Sequence, residues 1–314
     1  MNESAKHATE FPGAELVTEF LGTLGGRSDS TRTVYGRTLY RLAAWIAKRP
    51  GAGSAFRAAD FTRTALTTYL DELADQGLSL SSRTRAKVIA GRFARWLIED
   101  QGLLRRNPAR DVTLPPQPQL APRELSGEQR FVLRTLVERE GSQRGAALFA
   151  LGYWAGCRVS DVSHLKVEDA HIGPKTGWLR VGYKGGKFRE IDLVNDARRP
   201  LHDWLEAGER RQGSPYVFTS QRAERLTENG IHRWFATLKA RARKDEWELI
   251  GDVTFHDLRH DFAHRARAVG WSLEEVAYYL GHITARGTPA IATTVRYTQV
   301  SREQVKARLG LLRG

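Results

Sequence analysis

The stretch Thr254–His264 reads TFHDLRHDFAH. It sets His256, His260 and His264 four residues apart with Arg259 among them, and residues four apart share one face of a helix. Such a helix has two chemical readings, a ladder of imidazoles for a metal ion or a cationic clamp for an anion. Histidines at i and i+4 do hold zinc in His-Glu-x-x-His helices, where the glutamate is the base. Here Asp257 follows His256, so that pattern is not met. Arg259, Arg265 and Arg267 crowd the same stretch. A guanidinium stays charged, repels a divalent cation and attracts a phosphate. The clamp is the preferred reading, with His256 and Arg259 on one anion and no metal. The third histidine, His264, is expected to pack or to face solvent.

The rest of the chain favours a polyanionic partner. Its 314 residues carry 49 Lys+Arg against 36 Asp+Glu, a net charge of +13. That excess points first to nucleic acid and second to an acidic membrane. The longest apolar or small run, GAALFALGYWAGC (Gly145–Cys157), is too short to span a bilayer. The start, MNESAKHATEFPG, is polar and mixed in charge, unlike a signal peptide. The single cysteine, Cys157, rules out an intramolecular disulfide and a thiolate zinc cage, and fits a reducing cytoplasm. Lying in an apolar run, it is read as a buried small hydrophobe.

Periodicity predicts a mainly α protein. Glu15–Leu24 has helical apolar spacing, as does Ser28–Gly51, where Val34, Leu39, Leu42, Trp45 and Ile46 recur. A third helix is expected from an Asp60 N-cap to Gly77. A fourth, within Ser79–Gly102, has Val88, Ile89, Phe93, Trp96 and Leu97 on one side. Its remaining surface holds Arg83, Arg85, Lys87, Arg92 and Arg95, all before any acid, so these five are candidate DNA contacts. Five of the eleven prolines then fall between Asn107 and Arg123, with few residues that could pack, which predicts an extended tether. The boundaries are a helical domain at 14–104, a Pro-rich linker at 105–123 and a second domain at 124–314. In that domain helices are expected at Glu128–Glu138, Ala146–Trp154, Asp196–Gln212, Glu228–Lys244, Phe255–Val269 and Leu273–Leu280. A β-hairpin, Leu179–Tyr183 and Phe188–Leu193 around Gly185-Gly186, interrupts them.

A clamp needs a reaction, and further clusters accompany this one. AGCRVSDVSHL places Arg158 after a Gly-Cys turn with Asp161 one helical turn on; YKGGKFRE puts Lys184 at the hairpin turn; YYLGHI delivers His282; and TTVRYTQVS presents Tyr297. Singly each is ordinary: a surface ion pair, a turn lysine, a core tyrosine. In this order, Arg, Lys, His-x-x-Arg, Leu-Gly-His and Tyr, they resemble the tyrosine recombinase (phage integrase) family, in its simple two-domain Xer-like or Cre-like form. The motifs span about half the chain, and the preceding helical domain resembles the family's DNA core-binding domain. No extra domain precedes that one, which argues against an integrase that binds arm sites.

The resemblance implies a fold and a chemistry. The fold is a helical-bundle core-binding domain followed by a mostly helical catalytic domain with a small antiparallel β-sheet. Arg158 and Arg259 would neutralise the phosphate oxygens, with His282 as a third donor. Tyr297 would attack phosphorus to give a 3′-phosphotyrosyl enzyme, with His256 as base and Lys184 as the acid that protonates the leaving 5′-oxygen. Asp161 would support the site. Neither ATP nor a metal cofactor is needed, and exchange would pass through a Holliday junction. The implied partner is double-stranded DNA with inverted-repeat core sites, bound by a homotetramer that is monomeric when free. In the tail SREQVKARLGLLRG, Val305, Leu309 and Leu312 would dock on a neighbouring protomer. The location would be the cytoplasm, on the nucleoid. The alternatives are relaxation of DNA like a type IB topoisomerase, a catalytically decayed DNA-binding regulator, or a metal-dependent nuclease. One departure stands out: Tyr297 follows His282 by fifteen positions, more than the resemblance leads one to expect. Tyr278 and Tyr279 fit an apolar helix face and are not the nucleophile.

Overall fold

The computed structural model describes residues 12–116, 122–182, 188–221, 223–282, 290 and 294–295. The chain divides into two compact units, Met1–Pro118 and Gln119–Gly314.

In the first unit, four α-helices are found among the described residues: α1 (Glu15–Thr23), α2 (Asp29–Ala47), α3 (Arg63–Asp75) and α4 (Leu80–Glu99). Side-chain hydroxyls open three of them, Ser28, Thr62 and Ser79 each accepting from a backbone N–H of the first turn. Thr62, rather than Asp60, is thus the cap of α3. Asp60 ends a short 3₁₀ turn, Ala58–Asp60, and takes the Arg57 guanidinium at 2.9 Å instead. Phe20, Phe93 and Trp96 meet at ring-centroid distances of 5.4 to 5.9 Å and centre the core. Two residues expected in the apolar stripes lie outside them: Val34 is exposed, and so is Val88, at 51%. At about 100° per residue Val88 falls on the face of Arg85, Arg92 and Arg95, and these three form an exposed ridge with it. Arg83 and Lys87 lie off that ridge and are half-buried. The start of the expected tether is not free. Ala109 and Val112 are buried in this core, and the Asn107 side chain donates to Gly91 O at 2.9 Å.

The second unit begins with α5 (Gly127–Glu140), α6 (Gln143–Tyr153) and α7 (Val159–His164), followed by β1 (Ala170–Ile172), β2 (Gly177–Val181) and β3 (Arg189–Asp192). The three strands form one antiparallel sheet in the order β1-β2-β3, with Leu179 opposite Ile191 and Val181 opposite Arg189. The two hairpin arms pair as expected but run Gly177–Val181 and Arg189–Asp192 rather than Leu179–Tyr183 and Phe188–Leu193, and a third, unexpected strand joins them; Tyr183 and the Gly185-Gly186 turn lie outside the described residues. Then come α8 (Asn195–Glu206), α9 (Glu228–Lys239), α10 (Lys244–Ile250), α11 (Phe255–Ala268) and α12 (Leu273–Leu280). Two expected helices are shorter. The one from Asp196 stops at Glu206, before Gly208 takes a left-handed φ of +70°. The one from Glu228 breaks after Lys239, and α10 starts anew where the Glu246 carboxylate accepts from Arg243 N at 2.9 Å.

Two buried charges fix α11, the helix of TFHDLRHDFAH. Lys239 sends its Nζ to the carbonyls of Gly251 (2.7 Å) and Val253 (2.6 Å), in the turn that feeds α11. Burial lowers its pKa. Within α11, the fully buried Asp261 accepts from Arg130 Nη2 (2.7 Å), Arg265 Nε (2.9 Å) and Leu125 N (3.1 Å). A buried carboxylate held by two arginines and an amide is strongly disfavoured from moving alone.

Candidate active site

The three histidines of α11 do not converge. His256 and His260 meet edge to face with ring centroids 4.3 Å apart. His264 is buried and its Nε2 donates to Pro122 O at 2.8 Å, so it packs. Among the described residues no three metal-ligating side chains gather as a metal site would require. Arg259, in contrast, points inward and is only 1% exposed. Its Nη1 donates to Gly156 O (2.7 Å), and its Nη2 to Leu280 O (2.6 Å) and His282 Nε2 (3.1 Å).

Those partners come from the other motifs. Gly156 precedes Cys157 and Arg158 in a left-handed turn, φ +58°, where a Cβ would lie 2.7 Å from Phe262 and 2.9 Å from Leu280. Glycine there lets the turn that leads to Arg158, the N-cap of α7, pass close to α11 and α12. Cys157 is buried beside it, its thiol pKa pushed up to about 12 by burial. Arg158 Nη2 donates to Gly281 O at 3.0 Å. Arg158 and Arg259 thus hold consecutive carbonyls, those of Gly281 and Leu280, at the end of α12 where His282 follows. The Asp161 carboxylate takes Arg158 N at 3.3 Å and lies 3.9 Å from its guanidinium.

Asp161 has a second cation, Arg189 of the YKGGKFRE stretch, to which the motif pattern gives no role. Arg189 Nη2 reaches Asp161 Oδ2 at 3.2 Å, and its Nε donates to Tyr279 O at 2.7 Å. Arg189 and the buried Ile191 share one face of β3, and an arginine on the inward face of a strand is the signal that would have found it. Gly281 is shaped by the same residue. Its φ is +66°, and a Cβ on it would lie 2.8 Å from Arg189 Nη1.

The imidazoles are kept neutral. Burial first, and then Arg259 and Arg158, push the His282 pKa down to about 3. His260 is held at about 4 by burial and by His256. Crowding around its ring, then Arg259, lowers His256 as well, although its outer face is exposed on the first turn of α11. A neutral His256 keeps a lone pair and is able to accept a proton. Without DNA, both ring nitrogens of His282 already have partners within the chain. A guanidinium only donates, so His282 Nε2 is the acceptor in the Arg259 contact, and its proton sits on Nδ1, facing Thr294 Oγ1 at 3.2 Å.

The described residues also bear on the choice of tyrosine. Tyr279 packs on Phe262 and Trp271 and donates its hydroxyl to Asp192 O at 2.9 Å, and burial raises its pKa. Tyr278 is 64% exposed, so it is not part of an apolar face as expected. Lys184, Tyr297 and the tail with Val305, Leu309 and Leu312 lie outside the described residues. The wide His282–Tyr297 spacing is bridged early, since Ala290 N donates to His282 O at 2.6 Å. Arg85, Arg92 and Arg95 belong to the other unit, where Arg92 also donates to the Tyr35 hydroxyl at 2.5 Å.

The sequence profile of the phage integrase family matches residues 130–304. A tyrosine recombinase XerC of Neisseria gonorrhoeae is 28% identical over 293 residues, covering 90% of this chain and 89% of its own length. A tyrosine recombinase XerD of Ralstonia nicotianae is 28% identical over 320 residues, covering 98% and 97%. In fold, the chain is similar to the Tn1549 transposon integrase solved with transposon right end DNA, with a TM-score of 0.72 at 16% identity over 95% of this chain and 98% of that one. No helix among the described residues is long and apolar enough to cross a membrane.

Proposed function

The chain belongs to the phage integrase family and is a tyrosine site-specific recombinase of DNA, and from this premise we propose which of its groups cleave and rejoin the strand. One observation carries the assignment: Arg158 and Arg259 are held on adjacent carbonyls beside His282, a rigid pair of permanent cations. Nonbridging phosphate oxygens are met by these two forks, which stabilise the charge that builds up at phosphorus. Tyr297 attacks; its Oη–P bond forms as the P–O5′ bond breaks. The phenol proton passes to neutral His256, and Lys184 protonates the departing 5′-oxygen. The phosphotyrosyl bond retains the energy for religation, so no ATP and no metal takes part. Attack by the 5′-hydroxyl of a partner strand completes one exchange, and two rounds pass through a Holliday junction. His282 orients the Arg259 fork, and Asp161 with Arg189 holds Arg158.

The substrate is double-stranded DNA with inverted-repeat core sites. The exposed ridge Arg85, Arg92 and Arg95 contacts its backbone, which the net charge of +13 favours. Four protomers act together on two sites, each tail with Val305, Leu309 and Leu312 seated on its neighbour, and the setting is the cytoplasm. The test is incubation with a nicked duplex carrying the site, in EDTA. Wild type should give a covalent protein–DNA adduct that Tyr297→Phe lacks. Cleavage that needs Mg²⁺ or Zn²⁺ and leaves no adduct would overturn the assignment. Joined products from two sites separate recombination from simple relaxation.

A further inference from the structure

Among the described residues that follow His282 in the chain, one buried polar side chain packs against its ring. Thr294 is fully buried, three residues before Tyr297. Its Oγ1 lies 3.2 Å from His282 Nδ1 and donates its own proton towards Ala290 O at 3.4 Å. Its backbone N–H donates to that same carbonyl at 3.3 Å, and Ala290 N in turn donates to His282 O at 2.6 Å. Thr294 is therefore folded back onto His282 by backbone and side chain together.

The direction of each hydrogen bond follows from chemistry. Arg259 has only donors, so His282 Nε2 accepts from it and carries no proton. In a neutral ring the proton is then on Nδ1, and the group facing it must accept. Valine has nearly the shape of threonine and cannot accept; serine can. We propose that Thr294 is a positioning residue for strand cleavage: its hydroxyl accepts the Nδ1 proton of His282 and, together with Arg259 at Nε2, holds the imidazole ring in its orientation beside the Arg259 fork. The proposal rests on the assignment of Arg259, His282 and Tyr297 given above.

Three proteins test it: wild type, Thr294→Val and Thr294→Ser, each checked by thermal melting. Nitrogen-15 NMR of the His282 ring in the free proteins reads the tautomer, and single-turnover adduct formation at saturating nicked duplex reads the rate. Wild type and Thr294→Ser should both show protonated Nδ1 and should cleave within about threefold of each other. Thr294→Val should leave the Nδ1 proton without its acceptor, shift the Nδ1 signal while Nε2 stays unprotonated against Arg259, and cleave roughly tenfold more slowly, the scale of one lost hydrogen bond. A merely structural role would leave the ring signals unmoved. Wild-type His282 protonated on Nε2 overturns the proposal whatever the variants do. So does a Thr294→Val protein that cleaves at the wild-type rate, or a Thr294→Ser protein as impaired as Thr294→Val. Absence of any adduct in wild type would instead refute the underlying assignment, and the NMR result would stand apart from it.

Discussion

Replacing Gly281 by alanine measures how much the site depends on one close approach, because Gly141 supplies a matched reference. Gly281 ends α12 at φ +66° and ψ 43°, and Gly141 ends α5 at φ +65° and ψ 13°. A Cβ on Gly141 would meet nothing within 4 Å, whereas one on Gly281 would lie 2.8 Å from Nη1 and 3.0 Å from Cδ of Arg189. Gly141→Ala should therefore cost only the left-handed backbone penalty, about 1 kcal/mol. Gly281→Ala must in addition shift Arg189 from Tyr279 O or from Asp161. A hydrogen bond to a charged group contributes about 1.5–3 kcal/mol, so the sum is about 3 kcal/mol. Both residues lie in the second unit, so urea unfolding of that unit compares them on one transition. The carbonyls of Leu280 and Gly281 also hold Arg259 and Arg158. Removing one oxyanion donor costs an acyl-transfer enzyme about 10²–10³ in rate, so a partial displacement here should lower adduct formation at least tenfold in Gly281→Ala and leave it unchanged in Gly141→Ala. Equal destabilisation of the two variants, with both cleaving like wild type, would refute the reasoning.

Acidification should weaken the second unit through His282. An unfolded histidine binds its proton near pH 6.5, but the folded ring resists until about pH 3, so stability is full above 6.5 and is lost as pH falls towards 3. From pH 7 to 5 the loss is about 2 kcal/mol by this linkage; an equally steep fall in urea midpoint for His282→Asn would remove the assignment. On DNA, Arg85→Ala and Arg95→Ala should each weaken binding and lower the salt slope by about one, whereas Arg83→Ala, off the ridge, should not. Anisotropy titrations over a range of salt would reveal three equal slopes if the ridge is not the contact.

What could be read in advance follows from how local each signal is. Helix α11 is legible because its apolar spacing and its Thr254 cap lie within its own residues, the threonine accepting from Asp257 N at 3.3 Å. The order of Arg158, Asp161, Arg259 and His282 along the chain is legible as a pattern of residue types. Strand β1 is not: Ala170–Ile172 is three residues, too few for their alternation to stand out, and it exists because β2 pairs with it. The break between α9 and α10 is equally remote in origin. Glu246 is held there by Arg139, 107 positions away, at 2.6 Å as well as by Arg243. Val88 was misplaced because a stripe of apolar residues does not say where its edge falls. The role of Arg189 needed Asp161 and Tyr279, neither adjacent to it in sequence.

The contact between Ala290 N and His282 O has a consequence for how such chains diversify. It brings two points eight positions apart to within one hydrogen bond, so the distance from His282 to Ala290 is set by that bond and not by the number of residues between them. Bringing two ends of a chain together costs only slowly more as the number of residues between them grows, roughly 0.6 kcal/mol for each doubling. Insertions and deletions there are tolerable so long as the knot at His282, Ala290 and Thr294 is kept. Counting residues from the histidine to the tyrosine is then a poor ruler for this site. Counting back from the tyrosine to the threonine is a better one.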